Sequence, residues 1–171
     1  MRKQKGFSLI ELLIVVAIIL IIAAIAIPNL MRARMAANDS SAAASIRMIN
    51  TAEIAYTGIY PTLGYPVLMT TLGGASPCIP GTVAACLIDN YLATNGGGLG
   101  KSGYNFNATA SPSAGSSVND QFYSTGAPFS ARSGTRSYCS IQDAVLRLQA
   151  AGIITLVPSY NACLLLLPMT N

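Results

Sequence analysis

Histidine and tryptophan are absent from this chain, and charge is scarce: Asp, Glu, Lys and Arg together make up 9% of it. Without histidine the usual Ser-His and Cys-His nucleophile–base pairs cannot be built, so no catalytic residue is expected. The four cysteines, Cys78, Cys86, Cys139 and Cys163, show no CxxC spacing. With histidine also missing, no metal site is expected. GGGLGK at residues 96–101 lacks the first glycine of a phosphate-binding loop at the needed spacing, and no cofactor is expected. Aromatic residues amount to 7%, and none lies between Phe7 and Tyr56. At helical rise that gap is about 70 Å, far too long for a path of stacked rings. Tyr56 and Tyr60 are therefore expected in a core or an interface.

The apolar content, 52%, is concentrated near the start. A short basic leader with Arg2, Lys3 and Lys5 ends at Gly6, and an apolar run of membrane-spanning length fills residues 7–27. Its one charge is Glu11. A carboxylate at bilayer depth costs about 2.5–3.5 kcal/mol, so it calls for a partner. A secretory signal peptide has its small-residue cleavage site after the apolar core. Here Gly6 stands before it. A cut after Gly6 leaves the apolar segment in the mature chain, with a new amino group on Phe7. Ten Lys and Arg stand against six Asp and Glu, three of the ten lie in the leader, and cleavage leaves seven against six. The basicity thus says nothing about nucleic acid. It holds the leader in the cytoplasm and places the remainder outside, where four cysteines suit an oxidised domain.

Pro28 lacks a backbone donor and is expected to kink or loosen the helix. Beyond it an apolar stripe at Ala42, Ile46, Ile49, Ala52 and Tyr56 has offsets of three and four, as in an amphipathic helix. Arg32, Arg34, Asp39, Arg47 and Glu53 are the charged positions there. Gly58 and Pro61 are expected to end the helix after about 50 residues. Residues 60–100 are irregular, with short helical turns predicted at 66–72 and 84–93 and a flexible tip at 96–98. Strands are predicted at 104–110, 121–127, 135–141 and 144–148, with a polar hairpin tip at 111–119. The apolar tail, 153–167, could add a strand pair. The fold class is α+β: a long N-terminal helix, half transmembrane and half amphipathic, packed on a C-terminal antiparallel sheet. Four cysteines allow three pairings or free buried thiols. Cys78 with Cys86 would close a short loop through Pro80 and Gly81.

The string KGFSLIEL at residues 5–12, followed by Pro28 in IPNLM, resembles the prepilin signal of type IV pilins and their relatives. The resemblance is specific over residues 1–57 and looser beyond. It implies a leader 1–6, a transmembrane and filament-core helix 7–28, an amphipathic half 29–57 and a globular domain 58–171. It implies cleavage between Gly6 and Phe7 by a prepilin peptidase on the cytoplasmic side, and N-methylation of Phe7. Glu11 takes the place of the family's acid, where it would pair with the Phe7 amino group of a neighbouring subunit and set assembly register. Residues 20–27, before Pro28, correspond to a stretch that can lose helical order in the filament, although their Ile and Ala content does not force melting. A Cys139–Cys163 bridge would match the C-terminal disulfide region of many pilins. The implied partners are other pilin subunits in a homopolymer, the peptidase, a pilus assembly ATPase with its inner-membrane platform, and membrane lipid before assembly. The implied location is the inner membrane, then an extracellular pilus serving adhesion, twitching motility or DNA uptake. The rival is a pseudopilin of a type II secretion system. Major pseudopilins bind calcium through clustered acids near the C-terminus, whereas Asp89, Asp120 and Asp143 are far apart here. A signal-anchored periplasmic binding domain would explain the apolar run but neither Gly6 nor Glu11.

Overall fold

Helix α1 spans Leu9–Ile59 in the computed structural model, which describes residues 6–150 and 152–169. The leader bases Arg2, Lys3 and Lys5 lie outside the described residues. The chain divides into two compact units, Met1–Arg34 and Met35–Asn171, each containing part of α1. In the first unit no residue of the apolar window is buried. Pro28 lies inside the helix, and residues 20–27 before it are helical.

In the second unit the predicted stripe is the buried face: Ala42, Ile46, Ile49, Ala52 and Tyr56 are all at most 5% exposed. The helix does not stop at Gly58. Tyr60 still donates its N–H to Tyr56 O at 2.8 Å, and Pro61, which has no N–H, follows.

The sheet is antiparallel throughout, in the order β1-β2-β3-β4-β5. Its strands are β1 Tyr104–Ser111, β2 Gln121–Pro128, β3 Tyr138–Ile141, β4 Arg147–Leu148 and β5 Leu167–Pro168. Strand β1 pairs along its whole length with β2, from Tyr104 opposite Pro128 to Ser111 opposite Gln121. Alternation along β2 and β3 then decides what covers each face. Ser124 and Ser140 point to α1, where Ser124 Oγ donates to Asn50 Oδ1 and Asn50 Nδ2 to Ser140 Oγ, both at 2.7 Å. Their neighbours Thr125, Cys139 and Ile141 point the other way, into a cluster with Val157 and Cys163 of the tail. A sheet covered on both faces explains why all four residues of β3 are buried.

Four expectations need correction. The helical turns are shorter than predicted: a 3-10 turn at Met69–Leu72 and helix α2 at Asn90–Ala93, capped by Asp89 Oδ1 accepting from Leu92 N at 2.8 Å. Gly96–Gly98 is a 3-10 turn rather than a loose tip, and Gly96 is buried. Strands β3 and β4 begin three residues later than predicted. The tail forms helix α3, Tyr160–Leu164, and a two-residue strand instead of a strand pair. Ser159 accepts from Ala162 N at 3.2 Å and starts that helix.

Candidate functional site

Residues 6–8 are exposed and non-helical, and they lead directly into α1. Gly6 has open space around it: a Cβ there would meet nothing within 4 Å. An exposed, uncrowded peptide at Gly6–Phe7 is what a cleaving enzyme needs to reach. The Phe7 ring is 83% exposed.

Ser8 and Glu11 begin the helix together. Ser8 N–H donates to Glu11 Oε2 at 2.8 Å, and Ile10 N–H donates to Ser8 Oγ at 3.4 Å. This is a reciprocal cap, in which a serine and an acid three residues on satisfy orphan first-turn donors. Those donors are costly to leave bare where water is excluded. The Ser-x-x-Glu spacing that encodes it stands in the sequence at residues 8–11, a local signal separate from the expected role of Glu11 as a charge partner. Only Oε2 is engaged in this way among the described residues, so the other carboxylate oxygen keeps its acceptor capacity.

From Leu9 the helix is apolar on every side, with Leu12, Leu13, Ile14, Ile18, Leu20, Ile21, Ile25 and Ile27 each at least half exposed. A helix of this kind requires lipid or other apolar helices around it. It is long and apolar enough to cross a membrane.

The second unit holds structural polar sites that hydropathy did not indicate. Asp39, on α1, accepts from Thr135 N at 3.0 Å, from Thr135 Oγ1 at 2.6 Å and from the Tyr104 hydroxyl. It thereby fixes the loop before β3 onto the helix. Burial and the Asp39 carboxylate both push the Tyr104 hydroxyl up from its ordinary range. Gly134 is required beside this contact, since a Cβ there would lie 2.6 Å from Asp39 Oδ1. Asp143 is held below the ordinary carboxylate range by Arg147, whose Nη2 lies 2.5 Å from Asp143 Oδ2. Cys78 is bonded to Cys86 and Cys139 to Cys163. The first bridge is half-buried and the second fully buried.

The surface depressions offer little chemistry. One of about 310 Å³ is lined by Asn105, Ala127, Pro128, Phe129, Ile154, Thr155 and Leu156, with no ionisable group. Another, of about 250 Å³, carries Arg47 alone. Among the described residues no group of three or more His, Cys, Asp or Glu could hold a metal ion.

The prokaryotic N-terminal methylation motif matches residues 1–27. The chain is 68% identical over 40 residues to the type IV wide pilus major component PilA4 of Thermus thermophilus, covering 23% of this chain and 30% of that protein. It is 47% identical over 51 residues to the type IV major pilin protein PilA of Myxococcus xanthus, covering 30% of this chain and 23% of that protein. The chain thus matches less than a third of the length of these relatives. No solved structure matches it.

Proposed function

We infer that this chain, which carries the N-terminal segment of a type IV pilin, is a structural subunit of an extracellular filament and not an enzyme. The observation that carries the inference is an apolar helix with no buried residue in its window, following an accessible Gly6 and starting on a carboxylate. In this reading a prepilin peptidase cuts after Gly6 and methylates Phe7. The helix rests in lipid until an ATPase and a membrane platform move it into the filament. There it packs against copies of itself, since apolar helices cover it as well as lipid does. Each contact joins a different pair of surfaces, and such head-to-tail contacts build an open filament.

Glu11 supports this step. A neighbour's Phe7 ammonium entering the low-dielectric core needs a counter-charge, and removing one partner of such a pair costs about 3–5 kcal/mol. The pair then checks register as subunits enter. Adhesion, twitching and DNA uptake are the roles open to such a filament. The matched relatives are major pilins, which does not favour the secretion-system reading.

The test is intact-mass measurement of protein sheared from the cell surface, beside imaging of a deletion strain. The expected chain starts at Phe7, carries one added methyl and comes from filaments that the deletion strain lacks. A chain starting at Met1, or cut after Ile27, overturns the reading.

A further inference from the structure

Glu53 is 0% exposed, and neither of its carboxyl oxygens has a hydrogen-bond partner among the described residues. It lies in the second unit, well beyond the apolar segment of α1. Its place follows from the way the helix tracks β2. Ile46 lies over Gly126, where an added Cβ would come 3.4 Å from its Cδ1. One turn on, Asn50 bonds Ser124. A further turn brings Glu53 to the level of Phe122.

Tyr65 closes that end. Its ring lies 4.7 Å from Phe122, centre to centre, and its hydroxyl is pushed up by burial and by the field of Glu53. Its N–H donates to Asn119 O at 2.7 Å. Gly64, with φ +70°, allows this approach, because a Cβ there would lie 2.2 Å from Asn119 O. The segment 60–72 is thereby held against the hairpin tip.

The ionisable groups coupled to Glu53 are Tyr56, on its own helix, and Tyr65, from this segment. Both are neutral near pH 7. Strand β2 presents Phe122 and Ser124, which carry no charge. Among the described residues no cation offsets the burial, which pushes the Glu53 carboxyl up to about 8.

We propose that Glu53 is a proton-binding lock: with its proton bound, the segment 60–72 stays closed over α1 and β2, and loss of the proton opens that segment. The proposal does not depend on the chain being a filament subunit.

The direction follows from linkage. An open, solvated Glu53 titrates near 4.5 and the closed one near 8. Between those values the closed state holds a proton that the open state lacks. Closure therefore weakens about tenfold for each unit of rising pH, then levels above about 8. Below about 4.5 both states are protonated and the effect vanishes. Histidine normally titrates in this window, but the chain has none, and no free cysteine is present among the described residues.

The experiment is hydrogen exchange of residues 60–72 in the full chain in detergent micelles, from pH 5 to pH 8, corrected for intrinsic rates. Wild type is expected to open about tenfold more per pH unit, whereas Glu53→Gln and the apolar Glu53→Met are expected to stay flat. A flat wild-type profile, or the same slope in wild type and either variant that folds, overturns the proposal. Wild type alone supplies a second readout. A protonated-carboxyl infrared band is expected at pH 6 and diminished to about a tenth by pH 9, and its absence at pH 6 overturns the proposal without any variant.

Discussion

Removing the two disulfides one at a time should cost unequal amounts of stability, with the buried bridge the larger. Cys139 and Cys163 are 24 residues apart, and Cys78 and Cys86 are 8 apart. In the chain-entropy account, closing loops of those sizes stabilises by about 3.5 and about 2.6 kcal/mol. The sites differ further in packing. Cys139 and Cys163 are 0% exposed and share a cluster with Ile141 and Val157. Their replacement by alanine also removes buried sulfur, at about 1 kcal/mol or more. Cys78 and Cys86 are only half-buried and add little of that kind. For a unit of this size the Cys139→Ala/Cys163→Ala double variant should melt about 12–16 °C lower, and Cys78→Ser/Cys86→Ser about 8–10 °C lower. The assay is thermal unfolding of the full chain in detergent, with non-reducing peptide mapping of the exported protein. Under mild reduction, Cys78 and Cys86 should be alkylated first, since a reductant can reach them. A smaller loss from the buried pair, or free thiols at Cys139 and Cys163 in exported material, would refute the reasoning.

At Glu11, alanine should leave insertion and cleavage at Gly6 intact while surface filaments collapse. Glutamine keeps the cap on Ser8 but not the charge, so it should assemble nearly as poorly. Sheared filaments measured beside membrane-retained cleaved subunit decide this, and normal filaments from Glu11→Ala would remove the acid from assembly. At Asp39, alanine abandons donors from Thr135 and Tyr104 and should cost about 2–4 kcal/mol. Asparagine should cost less than half as much, because its amide oxygen can still accept. Thermal unfolding reads both, and equal losses would show that the contact is not what fixes the loop.

The helix was legible because burial on it follows the period. Ala42, Ile46, Ile49, Ala52 and Tyr56 repeat at three and four, and all five are buried in one core cluster. The same face also buries Asp39, Asn50 and Glu53, which hydropathy assigns to solvent. The donors of Asp39 and the partners of Asn50 lie 65–96 residues away. No local pattern announces a hydrogen bond of that range. In the tail, residues 153–167 are apolar enough for strands. Cys163, however, is tied to β3, and Ser159 caps a turn of helix. A distant covalent bond and a single serine thus override a β pattern. The glycine run at residues 96–98 reads as a flexible tip in the sequence. Tyr91 lies against Gly96, with Cζ 3.1 Å from where a Cβ would be, so the turn is closed by contact.

Glu11 and Glu53 stand on one helix and show two ways of accommodating a carboxylate where water is scarce. Glu53 has no hydrogen-bond donor among the described residues, so in the proposed lock a bound proton relieves its burial. Glu11 already has a donor in Ser8, held through Oε2 at 2.8 Å. A carboxylate has about four acceptor sites on its two oxygens. The cap therefore uses a fraction of its capacity, and an incoming ammonium need not break it. Capping and the proposed subunit pairing are therefore compatible rather than competing. In the proposed filament the cap would also prepare the pair, because it holds the carboxylate beside the first turn. A bond to an ammonium placed there loses less side-chain freedom than one that must first order the acid.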